Sequence, residues 1–425
     1  MSGIQSILDP VALPRMARIS QEFERPRLAD PAAFLGEEIR ASGLLGKIAP
    51  GDEVGITAGS RGITLLPEIT REVVRAVRSA GGKPFIFPAM GSHGGATAEG
   101  QEKMLRSMGL TEEFLEAPIR SSMEVVEIGR TPQGFPVYQD RFAHEAKWVV
   151  PINRIKPHTT FRGKYESGLA KMLVIGMGKQ KGAEVCHSLG PDNLGKNLEE
   201  MVGVVNAERR TLFGVAVVEN AFHDVARLAV LDGDGILEKE PDLLAESCRL
   251  IPRIPFEQLD CLIVDEIGKD ISGTGVDPNI IGRYTSPHMF GGPSIVRVAA
   301  LNMTEKTKGN GNGMGLMDFI TKKIFSRLNF EETYLNCLTS TITASVKIPM
   351  VLDNDRLAIQ AAIKTCNRAC LPDVRLVRIR NTLALSRLWV SENLLPEAAG
   401  KPLLHAEGDA EWRFDGQGNL ASGEL

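Results

Sequence analysis

The N-terminal half of the chain contains the same pattern twice: a stretch typical of a strand, a short polar or glycine-rich loop, and a helix marked by apolar residues at helical spacing. The predicted strand, loop and helix lie at residues 52–57, 58–62 and 65–80 in the first unit and at 84–90, 91–95 and 97–108 in the second. Strands that alternate with helices are typical of α/β proteins with parallel sheets. The repeat therefore predicts an α/β fold.

The segment Ile251-Pro252-Arg253-Ile254-Pro255 is the predicted boundary between two domains. Its two prolines interrupt both helices and strands, and a chain of 425 residues is too long for one compact core. We predict two α/β domains, residues 1–254 and residues 255–425. The elements predicted in the second domain are strands at 259–267, 295–303, 374–379 and 383–390, and helices at 318–328 and 355–365.

The charge pattern and the apolar runs limit the partners of the chain. Its 49 basic and 53 acidic residues give a net charge of −4, and no basic run is long enough to indicate a nucleic-acid or membrane surface. No apolar run approaches the roughly 18–20 residues of a membrane span, and the N-terminus lacks an apolar signal core. We therefore expect a cytoplasmic protein that binds neither nucleic acid nor membrane. Six cysteines in so long a chain do not form a disulfide framework.

Three of the seven histidines stand in loops of the kind that carry function. His93 follows the second predicted strand, His158 follows Lys156-Pro157 after another strand, and His187 follows a segment rich in glycine and lysine. Arg61 follows the first strand. Because ligands bind at the carboxyl ends of strands in open α/β sheets, we expect Arg61 and His93 to face the same rim.

Between His158 and His187 lie a buried-looking lysine and a glycine-rich segment. Lys171 stands in the apolar run LAKMLVI, where it could serve as a nucleophile, hold an anion, or extend its amine to solvent. The segment 176–182 (GMGKQKG) could hold a phosphate through backbone N–H groups and lysine charge, or form a flexible surface loop. It matches neither a P-loop nor GxGxxG. No GxSxG, HExxH or paired CxxC motif is present.

Taken together, these residues resemble the nickel-pincer lactate racemases and their homologues, which racemise or epimerise 2-hydroxy acids. The resemblance consists of four ordered motifs and Arg61, namely His93 in GSHGG, His158 in KPHTTFRG, Lys171 in ESGLAKMLVIGMG and His187 in GAEVCH. It covers the N-terminal domain well and the C-terminal domain loosely. The resemblance implies two α/β domains with the active site in the cleft between them.

The same resemblance implies a cofactor and a role for each residue. The cofactor would be nickel pyridinium-3,5-bisthiocarboxylic acid mononucleotide, made by separate biosynthesis proteins. His187 resembles the nickel ligand, and Lys171 resembles the residue that binds or tethers the thiocarbonyl group. Residues expected at the cofactor phosphate are Gly176, Gly178, Lys179 and Gly182. His93 and His158 would transfer protons on opposite faces of the substrate, while Arg61 would bind its carboxylate.

Two departures from the family pattern bear on the substrate. Lactate racemases carry SGGAK where this chain has SGLAK at residues 167–171. They also place a glutamine and a lysine after a DxN segment, whereas Asp277-Pro278-Asn279 here precedes Ile280-Ile281-Gly282-Arg283. Lys269 and Arg283 are the candidate substitutes. These differences favour a longer or polyhydroxylated acid, such as an aldonate epimerised at C2, over lactate.

Two other functions remain open from the sequence. One is a metal-dependent hydratase or hydrolase in which His93, His158 and His187 are all metal ligands. The other is a protein without catalytic activity that binds a nucleotide or a metallocofactor.

Overall fold

The computed structural model describes residues 3–60, 62–188, 190, 193–286, 289–367 and 373–421. The chain divides into two compact units, one comprising Glu24–Ile251 and the other comprising Met1–Phe23 together with Pro252–Leu425. Both units contain helices and sheets, so the protein is a mixed α/β protein with several sheets. This confirms the predicted fold class, while the position of the active site in an interdomain cleft stays a prediction.

The unit Glu24–Ile251 carries the predicted site. Its strands are β2 (Glu53–Ala58), β3 (Lys83–Pro88), β4 (Val125–Arg130), β5 (Pro136–Asp140), β6 (Trp148–Val150), β7 (Ile152–Arg154), β8 (Phe213–Glu219) and β9 (Val225–Asp232). Its helices are α2 (Pro31–Ala41), α3 (Leu66–Ser79), α4 (Ala98–Ser107), α5 (Glu112–Leu115), α6 (Arg141–Glu145), α7 (Leu169–Lys171), α8 (Lys179–His187), α9 (Leu194–Ala207) and α10 (Ile236–Leu250). A π-helical turn, Met172–Gly176, connects α7 to α8.

Two small sheets in this unit share one continuous stretch of chain. The first is parallel, with the order β3-β2-β6, and the second, β7-β8-β9, has β7 parallel and β9 antiparallel to β8. Pro151 separates β6 from β7 because proline lacks the N–H that a ladder needs. The next N–H, of Ile152, donates to Oγ1 of Thr57 at 3.0 Å instead. The chain therefore passes from one sheet to the other and delivers residues 155–168 beyond the end of β7.

The helices of this unit form where apolar residues recur at helical spacing. In α3, Ile69, Val73 and Val77 are fully buried and line one face, while the charged residues lie on the other. Thr97 caps α4 by accepting the N–H of Gly100 at 3.1 Å. This cap fixes the residue at which the loop after β3 ends and α4 begins.

The second unit contains one eight-stranded sheet in the order β13-β12-β11-β10-β14-β15-β1-β16. Its strands are β1 (Met16–Gln21), β10 (Gln258–Ile267), β11 (Ser294–Met303), β12 (Phe319–Thr321), β13 (Met350–Leu352), β14 (Leu376–Ile379), β15 (Arg387–Ser391) and β16 (Leu404–Ala410). Its helices are α1 (Gly3–Leu8), α11 (Pro278–Ile281), α12 (Lys322–Phe325), α13 (Phe330–Ser340), α14 (Asp355–Thr365) and α15 (Leu395–Ala399). The first five strands in this order are parallel, and the last three are antiparallel to their neighbours.

Two details of this unit differ from the sequence prediction. The boundaries 1–254 and 255–425 assign the N-terminus to the first domain, but β1 pairs with β15 and β16 and so joins the second unit. Strand pairing across almost the whole chain leaves no local sequence signal. The helix predicted over residues 318–328 is instead β12 followed by the short α12, because residues 319–321 add a strand beside β11. Among the described residues, no helix is long and apolar enough to cross a membrane.

Candidate functional site

The closest contact between two predicted site residues joins Lys171 to His158. Nζ of Lys171 lies 2.6 Å from Nε2 of His158, within hydrogen-bond distance. Lys171 is the last residue of α7 and leads directly into the π-helical turn, in which the N–H of Met177 donates to the carbonyl of Met172 at 2.9 Å. Single π-helical turns are frequent at functional sites.

The loop that carries His158 is fixed by hydrogen bonds at both of its ends. Lys156 and Ser167 pair through two backbone hydrogen bonds of 2.9 and 3.2 Å. Within the loop, the N–H of His158 donates to the carboxylate of Glu166 at 2.6 Å, and the ring of Phe161 lies 4.4 Å from the imidazole. The imidazole is held from its other side by Thr160, whose N–H donates to Nδ1 at 3.1 Å.

Burial and positive neighbours keep His158 neutral. Burial is the largest cause and lowers its pKa well below the usual value, and the charge of Lys171 lowers it further. A histidine that stays neutral at physiological pH can accept a proton from a substrate hydroxyl.

His187, the last residue of α8, lies close enough to this pair to interact with it electrostatically. Burial, followed by the charge of Lys171, lowers the pKa of His187 to about 4, so its imidazole is neutral at physiological pH. His187 in turn contributes to the lowered pKa of His158. Within the described part of the chain, Nδ1 of His187 is buried and has no hydrogen-bond partner. A buried nitrogen in that state costs stability unless it binds something.

His93 lies in the loop after β3, where its protonation is defined by a carbonyl. Nδ1 of His93 is 2.8 Å from the carbonyl oxygen of Met90, which can only accept. Nδ1 therefore carries the proton, and the acceptor lone pair is on Nε2. Gln101 supports the loop by donating to the carbonyls of Gly91 and His93 at 2.9 and 3.2 Å.

Backbone contacts bring the three site-bearing segments of this unit together. The N–H of Gly91, two residues before His93, donates to the carbonyl of Gly176 at 3.2 Å. A side chain at Gly91 would also lie 3.6 Å from Cβ of Ala183 in the helix that ends at His187. On the other side, a side chain at Gly59 would meet Cε of Met172 at 3.2 Å, so the loop after β2 contacts the π-helical turn. Arg61 belongs to that loop but lies outside the described residues.

The glycine-rich segment 176–182 is helical, and the prediction of a phosphate-binding loop is wrong in its conformation. Gly176 ends the π-helical turn, while Gly178 precedes α8 and donates its N–H to the carbonyl of Val174 at 3.0 Å. Gly182 lies inside α8 and donates to the carbonyl of Gly178 at 2.8 Å. The N–H groups of Gly178 and Gly182 are thus used within the chain. A side chain at Gly176 would lie 2.8 Å from the carbonyl oxygen of Ala89, so close packing requires this glycine.

Lys179 has a structural role instead of the predicted role in phosphate binding. Its side chain is fully buried, and its amine pairs with Asp140 at 3.0 Å. The amine also donates to the carbonyl of Pro88 and, at 3.1 Å, to Oε1 of Gln101. These three acceptors match the three N–H groups of an ammonium, which leaves no donor for a phosphate.

Lys269 and Arg283, the candidate substrate residues, both belong to the second unit. The guanidinium of Arg283 pairs with Asp318 at 2.7 Å and donates to the carbonyls of Leu316 and Val296 at 3.0 and 2.7 Å. It therefore stabilises the loops around β11, and this arrangement argues against substrate binding. The amine of Lys269 donates to the carbonyl of Gly273 at 3.0 Å within its own loop.

Two buried glutamates that the sequence analysis did not identify lie next to the segments that carry Lys171 and Arg61. Glu240 in α10 accepts the N–H of Ala170 at 2.9 Å, and Glu219 at the end of β8 accepts the N–H of Thr64 at 2.9 Å. Glu240 could have been found, because it is four residues after Ile236 and three before Leu243 on the apolar face of the helix. A charged residue on such a face indicates a specific partner.

The arrangement predicted for a tris-histidine metal site is not found among the described residues, where no group of three or more His, Cys, Asp or Glu side chains is placed to hold a metal ion. The structure instead places one buried imidazole nitrogen of His187 near a lysine and a second histidine.

Comparison with known proteins finds a similarity in part of this unit. One solved structure, the lactate racemase apoprotein from Thermoanaerobacterium thermosaccharolyticum, matches with 13% sequence identity and a TM-score of 0.40, covering 82% of this chain and 81% of that chain. No curated protein sequence matches. The family match spans residues 56–194, which include His93, His158, Lys171 and His187. Residues 56–194 of this chain match the model of the lactate racemase N-terminal domain family.

Proposed function

We propose that the protein is an isomerase that inverts C2 of a 2-hydroxy acid and uses a nickel-pincer nucleotide as its cofactor. The observation that carries the proposal is the 2.6 Å contact between Lys171 and His158, together with the buried Nδ1 of His187, which interacts electrostatically with Lys171. This group combines the amine of Lys171, the neutral imidazole of His158, and Nδ1 of His187, which has no hydrogen-bond partner among the described residues and could bind a metal. The family of residues 56–194 supports the assignment of racemase chemistry to it.

The residues fit the chemistry of the cofactor. Nδ1 of His187 is buried without a hydrogen-bond partner among the described residues, and the pKa of about 4 keeps the ring in the neutral form that metals require. Imidazole is a suitable ligand for nickel. Lys171 is the residue we propose to bind or tether the organic part. When bound, the cofactor would supply the hydride acceptor and donor for C2 of the substrate.

The proton chemistry falls to His93 and His158. His93 has its acceptor lone pair on Nε2, and the lowered pKa of His158 keeps that ring neutral. We propose that each takes the hydroxyl proton from one enantiomer and returns a proton when the other is formed. We propose that Arg61 binds the carboxylate, because a guanidinium forms two parallel hydrogen bonds to it and so holds the acid while C2 inverts.

The substrate we propose is a longer or polyhydroxylated acid, such as an aldonate. The support comes from the second unit, where Ile280-Ile281-Gly282-Arg283 replaces the glutamine and lysine of lactate racemases. In addition, Arg283 is held by Asp318 and backbone carbonyls, which argues against its substituting for those polar residues. The cofactor would come from separate biosynthesis proteins.

A single set of experiments tests this function. Protein produced together with the cofactor-biosynthesis enzymes is analysed for metals and, by mass spectrometry, for the organic ligand. It is then screened by polarimetry against C3 to C6 2-hydroxy acids. We expect nickel, the pincer nucleotide and loss of optical rotation with at least one acid. Zinc or iron without the organic ligand would overturn the proposal, and nickel without turnover on any acid would favour a non-catalytic carrier.

Variants separate the roles of the histidines. We expect His187→Ala to lose nickel, and His93→Ala and His158→Ala to keep nickel but lose turnover. His405→Ala is a control, because that side chain is half-exposed on β16 in the other unit. Equal loss of metal in the three site variants would instead indicate a tris-histidine metal site of the kind used by hydratases and hydrolases.

A further inference from the structure

A buried carboxylate lies at the start of the short helix that carries Lys171. Glu240 is 1% exposed and accepts the N–H of Ala170 at 2.9 Å. It also accepts the N–H of Leu169. These two N–H groups belong to the first turn of α7, whose third residue is Lys171. A carboxylate at the first turn of a helix satisfies N–H groups that have no partner within the helix.

The backbone is shaped to accept this carboxylate. A side chain at Gly168 would overlap the carboxyl group of Glu240, with Cβ 2.7 Å from Cδ, so only glycine allows the approach. A second link joins the same segments, because the hydroxyl of Tyr165 donates to the carbonyl of Leu237 at 2.8 Å. Helix α10 is thus attached to the segment on both sides of Gly168.

Stability alone does not account for Glu240. Its second oxygen, Oε1, is buried and has no hydrogen-bond partner among the described residues. Burial raises the pKa of the carboxyl to about 7, against the hydrogen bonds from Ala170 and Leu169 that lower it. Such a group lowers the free energy of unfolding relative to an apolar residue of similar size. A role in arranging the site would explain why the chain keeps a carboxyl group here despite its cost in stability.

We propose that Glu240 is a positioning residue, which holds the N–H groups of Leu169 and Ala170 and thereby directs the amine of Lys171 at His158. The orientation of the turn before Lys171 sets where its amine points. A shift of about 1 Å in a catalytic group can cost much of its activity, so this orientation has to be fixed. The inference rests on the proposed function in treating Lys171 as a working residue. Its test uses protein without cofactor.

The test is the rate at which Lys171 is methylated by formaldehyde and cyanoborohydride, followed by peptide mass spectrometry. Exposed Lys103 on α4 is the internal reference. We expect Glu240→Ala to raise the relative rate about fivefold, the factor for losing one hydrogen bond. Glu240→Asp keeps the charge but is one methylene too short, so we expect the same increase. Glu240→Gln keeps the length and an acceptor oxygen, so we expect a rate within about twofold of the wild type.

The order of these variants distinguishes positioning from other roles. Exposed Glu238, on the same helix, is the control, and Glu238→Ala should leave the rate unchanged. Folded Glu240→Ala and Glu240→Asp variants with the wild-type rate at Lys171 would overturn the proposal. So would a Gln variant as reactive as Ala. If Glu240→Ala does not fold, Gly168→Ala displaces the carboxyl group instead, and an unchanged rate there has the same meaning.

The result is independent of the reaction. If the protein binds no nickel or racemises no acid, the proposed function fails while the methylation rates still report on the geometry around Lys171. If Lys171 is equally reactive in all folded variants of an active racemase, only the role of Glu240 is wrong.

Discussion

Glu219 provides the strongest quantitative test of how the loop after β2 is held. Its carboxylate, 7% exposed, pairs with Arg154 at the end of β7 and accepts the N–H of Thr64 at 2.9 Å. His223 lies 3.6 Å away. Thr64 follows Arg61 by three residues, so this carboxylate anchors the loop to which we assign substrate binding. We expect Glu219→Gln to destabilise the unit Glu24–Ile251.

The size of the effect follows from the pKa of Glu219. Burial would raise it, but the interaction with nearby His223, the charge of Arg154 and the N–H of Thr64 outweigh burial and lower it to about 2 from 4.5. This difference corresponds to about 3 kcal/mol of stability at pH 7. Because the folded pKa is the lower one, the contribution is complete above 4.5 and is lost as the pH falls towards 2. By pH 3 about 1 kcal/mol remains.

The assay is urea unfolding of the full chain at pH 7 and pH 3, followed at each urea concentration by a short hydrogen-exchange pulse at one fixed pH. Mass spectrometry of peptides from residues 24–251 then reports on this unit alone. We expect Glu219→Gln to lower its free energy of unfolding by about 3 kcal/mol at pH 7 and by about 1 kcal/mol at pH 3. Glu102→Gln, which breaks an exposed pair with Arg106, should cost under about 0.5 kcal/mol at both.

Two results would refute this reasoning. A loss below about 1 kcal/mol at pH 7 would mean that the buried pair contributes no more than a surface pair. A loss of equal size at both pH values would mean that the side chain of Glu219 stabilises through packing and not through its charge.

Further predictions concern the segments around the site. For Glu240, whose raised pKa is about 7, stability should fall by roughly 2.5 kcal/mol between pH 5 and pH 8.5, and Glu240→Gln should remove that fall in urea unfolding. Gly178→Ala should destabilise by about 1–3 kcal/mol, since its Cβ would overlap a backbone carbonyl, whereas Gly182→Ala, whose Cβ would lie 3.6 Å from its nearest neighbour, should stabilise by about 0.5–1 kcal/mol in thermal unfolding. Lys179→Met leaves Asp140 buried without its partner and should cost about 3–5 kcal/mol by the same measurement.

The sequence predicted the elements that carry strong hydrophobic patterns. The strands β2, β3 and β10 and the helices α3 and α14 lie within one or two residues of the predicted ranges, because each buries a continuous apolar run or stripe. The prediction also placed His158, Lys171 and His187 in one stretch of chain, and the structure brings these three together.

The remaining features depend on tertiary packing that no local pattern reports. Glycines favour loops by their own conformational freedom, yet Gly176 and Gly178 lie in a helical path. They are required there because neighbouring backbone leaves no room for a side chain. Likewise, Lys179 was assigned to a phosphate from its position beside glycines, whereas its partner Asp140 lies 39 residues earlier and has no visible relation to it in the sequence. Buried ion pairs of this kind become apparent only when the fold is known.

The contact between Lys171 and His158 means that the two roles assigned to these residues are coupled. Nζ and Nε2 lie 2.6 Å apart, within hydrogen-bond distance, so a change at either residue alters the protonation of the other. Burial is the largest cause of the lowered pKa of His158, and Lys171 is the next. In Lys171→Met we therefore expect that pKa to rise while staying below the usual value for histidine. NMR titration of the imidazole in the protein without cofactor measures it, with Lys103→Met as the control. An unchanged pKa would show that the amine does not act on His158, and the two residues would then have to be assigned separate sites.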